Sequence, residues 1–76
     1  MDKREFLKKL EKALKKLLPE ERARYISYYD EIIMDSVDSG LSEKDAVAKQ
    51  GNMNDIVADI MSQVEPEKVA RRIRGR

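Results

Sequence analysis

The chain has 76 residues, of which 41% are hydrophobic and 41% charged, and it contains no cysteine and no histidine. Its length allows a single domain, and the missing residue types exclude disulfides, zinc sites and every nucleophile that depends on a histidine base. The formal net charge of +1 hides an asymmetry: residues 1–24 carry +4 (nine basic, five acidic), residues 25–65 carry −7 (two, nine) and residues 66–76 carry +4 (five, one). This division predicts self-complementary packing or an oriented partner.

The first predicted helix runs from Lys3 to Leu17, with Asp2 as its N-cap and Glu5 completing a capping box. Its apolar residues recur at steps of three and four, which places them on one stripe: Phe6, Leu7, Leu10, Ala13, Leu14 and Leu17. The other side carries five lysines: Lys8, Lys9, Lys12, Lys15 and Lys16. We therefore expect an amphipathic helix with one buried side and one basic side.

A Leu-Pro-Glu-Glu stretch at residues 18–21 ends this helix and begins the second. Proline disfavours helical geometry at the preceding residue and suits the first position of a new helix. The second helix is predicted from Pro19 to Ser39, with Gly40 as a left-handed stop. Its apolar stripe consists of Ala23, Ile26, Tyr29, Ile33 and Val37, widened by Tyr25, Tyr28 and Ile32. A face this wide is expected to pack against two elements.

Two shorter helices follow Gly40 in the prediction. The third runs from Glu43 to Gln50, is capped by Ser42 and ends at Gly51. We expect this helix to bury Ala46 and Val47, together with Leu41 just before it. Asn52 caps the fourth helix, whose apolar residues stand at helical spacing: Ile56, Val57, Ile60, Met61 and Val64.

Pro66 breaks the fourth helix and is predicted to begin a last turn that holds Val69 and Ile73. No segment alternates apolar and polar residues for long enough to indicate a strand. The predicted fold class is therefore all-α, a small bundle of four short helices with a fifth after Pro66. We expect a helical domain over residues 1–64 and a basic C-terminal helix or tail over residues 65–76.

Four carboxylates on the second helix are the first candidate site: Asp30, Glu31, Asp35 and Asp38. Spacings of three and four residues bring such side chains to one helix face, where they could hold Mg²⁺ or Ca²⁺. A single helix face offers too few oxygen ligands for these ions, so we favour a solvated or partner-facing surface. The neighbouring tyrosines, Tyr25, Tyr28 and Tyr29, could stack bases or cage a ligand, but core or interface packing is the favoured interpretation.

Nucleic-acid or anionic-lipid binding is the alternative function, with contacts from the lysines of the first helix and from a basic tail. The tail contributes four arginines: Arg71, Arg72, Arg74 and Arg76. If the natural protein continues past Arg76 into a membrane helix, these arginines obey the positive-inside rule. The third and fourth helices imitate a helix-turn-helix unit, but the second of them carries Asp55 and Asp59 and no basic residue, so nucleic acid is not the expected partner.

Several local motifs together resemble the HAAS family, the helix-turn-helix-associated α-helical signalling domain of bacteria. They are the start from Met1 to Leu7, the Leu-Pro-Glu-Glu stretch at 18–21, Tyr28-Tyr29-x-Glu31 with Asp35, Gly40-Leu41-Ser42-Glu43, and Gly51-Asn52. The resemblance covers roughly residues 1–62. Two departures are Met53, where such domains often have proline, and Lys49-Gln50, where a leucine commonly precedes the glycine.

The resemblance implies a non-enzymatic cytoplasmic signalling domain, often followed by membrane helices and encoded beside regulators of the PadR type. The expected partner is a protein, such as a PadR-type regulator or a second copy in a homo-oligomer. The expected location is the cytoplasm, or the cytoplasmic face of a membrane if the chain is a fragment. The candidate contact surface is formed by Tyr28, Glu31, Asp35 and Asp38. We expect no catalytic residue, no cofactor and no metal.

Overall fold

The computed structural model describes residues 1–69, and this part of the chain forms a bundle of helices. Four α-helices, α1 (Lys3–Ala13), α2 (Pro19–Asp38), α3 (Glu43–Ala48) and α4 (Met53–Gln63), are followed by a short 3-10 helix, Pro66–Lys68. Helix α1 packs against each of the other three α-helices, and α2 also packs against α3. The predicted all-α fold is confirmed. A turn begins at Pro66 as predicted, but it ends at Lys68 and leaves Val69 in extended backbone, while Ile73 lies outside the described residues.

The core is apolar and receives side chains from all four α-helices and from the α1–α2 connection. Nine buried residues form it: Phe6, Leu10, Leu14, Leu17, Ile33, Ala46, Val47, Ile56 and Ile60. Every one of them belongs to a predicted apolar set, which confirms the helical periodicity as a guide to the core. Burying side chains of this size supplies about 1.5–3 kcal/mol each for the larger ones, so these residues determine how each helix is rotated.

Three residues predicted to be buried are exposed: Ala13, Ala23 and Leu41. The two alanines stand on apolar stripes, but a single methyl group contributes little to burial, and the larger neighbours decide which side faces inward. Ala23 therefore lies on the outer side of α2. Leu41 lies after the end of α2, where 36% of its surface remains accessible.

Helix α1 ends at Ala13, earlier than the predicted end at Leu17. Residues 14–17 turn instead, and the backbone N–H of Leu17 donates to the carbonyl of Leu14 at 2.9 Å. Leu17 then pairs with Val69 in an isolated antiparallel bridge, beside a 2.9 Å hydrogen bond from the N–H of Leu18 to the carbonyl of Lys68. This long-range pairing requires extended backbone at Leu17, so the helix cannot continue through it.

The carbonyl groups left free after α1 are satisfied by a side chain of α2. The guanidinium of Arg22 donates to the carbonyl oxygens of Lys15 and Leu17, at 3.3 Å and 3.2 Å. These carbonyls belong to the turn after α1, outside any helical ladder, so they need donors from elsewhere in the chain. Arg22 thus fixes the turn between α1 and α2.

The turn after α2 depends on a glycine with left-handed backbone. Gly40 has φ +119°. The N–H of Gly40 donates to the carbonyl of Val37, and the N–H of Leu41 donates to the carbonyl of Ser36. These two bonds are the Schellman pattern, and they confirm the predicted stop. The Ser42 side chain accepts from the N–H of Asp45 at 3.1 Å, so the cap of α3 stands two residues after the glycine and the helix starts at Glu43.

Helix α3 is two residues shorter than predicted. Its last residue is Ala48, and Gln50 bends away with its side-chain amide donating to the carbonyl of Ala46 at 3.0 Å. Gly51, with φ +97°, then redirects the chain. The Asn52 side chain accepts from the N–H of Asn54 at 2.7 Å, which confirms Asn52 as the cap of α4.

Candidate protein-interaction surface

The outward side of α2 carries the four residues singled out as a contact surface, Tyr28, Glu31, Asp35 and Asp38, here called the acidic face. They follow one another at steps of three, four and three residues, which places them along one side of a helix. All four are exposed, and 55% of the Tyr28 surface is accessible. None of the three carboxylates forms an ion pair with a residue in the described range 1–69.

Asp30, grouped with these carboxylates in the sequence prediction, has a different environment. Its Oδ1 atom is buried and lies 2.8 Å from Nζ of Lys3, at the start of α1. The backbone N–H of Lys3 also donates to Oε2 of Glu43 at 2.7 Å. Asp30 therefore joins α2 to α1, and Lys3 links both to the start of α3. This carboxylate has a structural partner and does not belong to the acidic face.

Tyr28 is exposed, yet its ring is supported from the core. The ring meets that of Tyr29 edge to face, with centroids 5.0 Å apart and planes at 88°. The Tyr29 ring in turn lies 6.0 Å from that of Phe6, at 56°. Edge-to-face contacts of this kind stabilise aromatic pairs. Of the three tyrosines predicted to lie in the core or at an interface, Tyr25 and Tyr29 pack against the core. Tyr28 is exposed instead, and its role at an interface stays a prediction.

An open cleft of about 350 Å³ lies between α2 and α4, next to the acidic face. Its lining is mixed: Arg24, Tyr25, Tyr28 and Tyr29 from α2, and Asp59, Ile60 and Gln63 from α4. Burial raises the pKa of the Tyr29 phenol above its ordinary value, with further contributions from Tyr28, Asp59 and Tyr25. Its hydroxyl therefore remains protonated, and able to donate a hydrogen bond, at neutral pH.

Sequence reasoning did not find this cleft. The lining residues on α2 are 30 or more positions away in the chain from those on α4, and only the relative placement of the two helices brings them together. The one available signal was the wide apolar face of α2, which predicted contact with two elements. The cleft adds a concave surface, partly aromatic, beside the convex acidic face.

The exposed side of α1 is the electrostatic counterpart of the acidic face. Five lysines, here called the basic face, are exposed on α1 and on the turn that follows it: Lys8, Lys9 and Lys12 on the helix, and Lys15 and Lys16 on the turn. A shallow hollow of about 440 Å³ runs among them, lined by Glu5, Lys8, Lys9, Glu11 and Lys12. Within residues 1–69 the lysines of the basic face take part in no ion pair.

The described residues include only some of the other candidate sites. The arginines Arg71, Arg72, Arg74 and Arg76 lie outside the described residues. Over the described range, no cluster of three or more acidic, histidine or cysteine side chains is arranged to hold a metal ion. No helix there combines the length and the hydropathy that crossing a bilayer demands. On α4, the exposed Asp55 and Asp59 would face DNA phosphates in a helix-turn-helix arrangement, which disfavours groove binding by α4.

Comparison with known proteins identifies the family. Neither the curated proteins nor the solved structures include a significant match to this chain. The family model of HAAS, in contrast, matches residues 5–72, nearly the whole sequence. The matched range includes all four α-helices except the first two residues of α1, together with the acidic face, the basic face and the α2–α4 cleft. The chain belongs to the HAAS family.

Proposed function

We propose that this chain is a non-enzymatic signalling module that works by binding another protein through the acidic face. HAAS domains are modules of the signalling type that generally mediate protein–protein interaction. The observation that carries the proposal is the exposed Tyr28 beside Glu31, Asp35 and Asp38, three carboxylates without an ion pair in residues 1–69. Aromatic rings are enriched in protein interfaces, and charges placed around such a ring orient the partner.

The way in which both ends of α2 are fixed supports the same function. Helix α2 has 20 residues and is held by Arg22 and Pro19 at its start and by the Gly40 turn at its end. A side chain on such a helix loses little conformational freedom when a partner binds. Tyr28 is further oriented by its contact with Tyr29. The ring can therefore act as an anchor, while the carboxylates orient a basic partner and accelerate association.

The partner that we propose is a transcription regulator of the PadR type, which presents a basic surface to the acidic face. Binding would alter the regulator's availability for DNA, so the module relays a signal without contacting DNA itself. The proposed location is the cytoplasm, or the cytoplasmic face of a membrane if the natural chain continues past Arg76. Family membership and the sign of the acidic face support this proposal.

Isothermal titration of the purified chain with a PadR-type regulator from the same genome tests the proposal. Tyr28→Ala and the pair Glu31→Lys with Asp35→Lys should each weaken binding at least about tenfold, the effect expected at an interface anchor and at its charged neighbours. Glu11→Lys makes the same kind of charge change on the exposed side of α1 and is the matched control. Full affinity in the acidic-face variants, or no binding by the unaltered chain, would contradict the proposal.

A further inference from the structure

We propose that two copies of the chain associate, with the basic face of α1 in one copy against the acidic face of α2 in the other. The two faces carry opposite charge. Five exposed lysines lie on α1 and the turn after it, three exposed carboxylates lie on α2, and neither set forms an ion pair within residues 1–69. A second copy supplies the opposite sign to each set at once. The partner here is this chain itself, so the inference goes beyond the proposed function.

One helical step is common to the two charge sets. On α2, Glu31 and Asp35 stand four residues apart, and on α1 Lys8 and Lys12 repeat that step. Four residues of helix span about 6 Å, so these two lysines can face the two carboxylates when the helices run in the same direction. The pair at the centre of the acidic face is then Lys12 with Asp35.

The same faces offer more than surface ion pairs, which are individually weak in water. Tyr28 projects from the acidic face with 55% of its surface accessible, and Met34 is 40% accessible on the adjacent outer side of α2. The hollow on α1 is lined by the side chains of Lys8, Lys9 and Lys12 together with Glu5 and Glu11. Lysine stems are apolar, and an ammonium over a tyrosine ring is attracted to its face. With Lys12 against Asp35 in parallel helices, Tyr28 lies opposite Glu5, at the edge of this hollow and one turn from Lys8.

A two-fold dimer built in this way would contain the contact twice, because each copy contributes one basic and one acidic face. The second contact buries surface of its own and adds its own interaction free energy, while the entropic cost of bringing two molecules together arises once. Such charge-dominated association should be sensitive to salt, since exposed charges are screened over about 10 Å at 0.1 M ionic strength. These features separate the proposed dimer from one held by apolar surface alone.

Sedimentation equilibrium of the full chain tests the proposal, over about 10 to about 500 µM protein and at about 0.05 and about 0.5 M sodium chloride. The unaltered chain should dimerise at low salt and dissociate at high salt. Lys12→Glu and Asp35→Lys should each raise the dimer dissociation constant at least about tenfold. Lys44→Glu and Glu65→Lys, which reverse exposed charges outside the two faces, should leave it unchanged.

Mixing the two disruptive variants distinguishes this interface from others that use the same residues. In a mixed dimer, Glu at position 12 of one chain meets Lys at position 35 of the other, and the second contact keeps its original charges. An equimolar mixture should therefore regain dimers that neither variant forms alone. A monomer under all conditions, or a mixture that stays monomeric, would overturn the proposal. Circular dichroism confirms that each variant is folded. The dimer and the proposed regulator use the same acidic face and therefore compete for it. Lys12→Glu leaves that face unaltered, so a monomeric Lys12→Glu variant that still binds the regulator would leave the proposed function intact.

Discussion

The inner side of α1 and the outer side of α2 differ in almost every respect, although the two helices pack against each other. Leu10 on α1 and Leu14, directly after the end of α1, are fully buried, and α1 packs against the other three α-helices. On the outer side of α2, more than half of Tyr28 is accessible and the carboxylates have no partner in the described range. Buried apolar side chains are thus concentrated along the inner side of α1, while an exposed ring and carboxylates unpaired in that range mark the outer side of α2.

Truncation of one residue from each region provides the strongest test of this division. Leu10→Ala removes a fully buried side chain from the central helix, and we expect it to lower the free energy of unfolding by about 2–5 kcal/mol. Tyr28→Ala removes a larger but exposed ring, and the expected loss is below about 1 kcal/mol. Urea denaturation followed by circular dichroism measures both. Equal losses would mean that the outer side of α2 also carries stability.

The free energy of unfolding that Leu10→Ala removes is a sizeable fraction of the whole free energy of unfolding for so small a protein. Chains of this length bury only about 60% of their unfolded surface, and no disulfide is available here. Urea titration of Leu10→Ala at low temperature therefore starts from a partly unfolded baseline. Leu10→Met serves as the matched control. Because methionine nearly conserves the volume, its effect should stay below about 1.5 kcal/mol.

The end of α2 sharpens the comparison, because it is exposed and still structurally constrained. Gly40 has φ +119°, and a Cβ atom added there would meet no heavy atom within 4 Å. Gly40→Ala should therefore destabilise the fold by about 1–2 kcal/mol through backbone strain alone, since other L residues rarely adopt this conformation. Gly40→Asn should be the milder change, because asparagine tolerates the left-handed region better. Thermal unfolding compares the two variants, and an equal effect would point to something other than backbone conformation.

The sequence predicted most of the fold because the apolar side chains of each helix repeat with the helical period. The residues that form the core, among them Leu10, Ile33 and Ile56, all belonged to predicted apolar sets. The early end of α1 could not be predicted in this way. It depends on the pairing of Leu17 with Val69, and such pairing over a long stretch of chain leaves no mark in local periodicity.

The burial of Glu21 was likewise beyond the sequence pattern. A charged residue in the first turn of a helix is ordinarily exposed, and its position favours it only through the helix dipole. In the fold, Glu21 is 8% accessible and lies 3.1 Å from the guanidinium of Arg24 one turn later. Packing of the chain around the start of α2 buries this side chain, and no single-sequence signal reports that packing.

The candidate site was predictable only as far as one helix determines it. Spacing alone brought Tyr28, Glu31, Asp35 and Asp38 to the same side of α2, and that placement is a property of the helix. Spacing could not separate Asp30 from them, because its partner Lys3 belongs to another helix. The α2–α4 cleft escaped prediction for the same reason: its two walls are joined only by tertiary structure.

The smallest expected effect concerns Tyr29, which lies between the two regions, with its ring against Phe6 on one side and against Tyr28 on the other. Burial raises the pKa of its phenol above the ordinary value of 10.0. The folded chain therefore holds this proton more tightly than the unfolded chain does. The associated stability is fully present below pH 10 and is lost as the pH rises through the folded pKa.

Tyr29→Phe removes the ionising group and keeps the ring, so it isolates this contribution from that of other groups that titrate at alkaline pH. Between about pH 9 and about pH 11, the unaltered chain should lose more stability than the variant, whereas at pH 7 the difference between them should not vary with pH. Urea midpoints across this range give the comparison. Parallel pH profiles would mean that the Tyr29 hydroxyl is as well solvated in the fold as in the unfolded chain, and the tyrosine would then belong with the open surface of α2 rather than with the core.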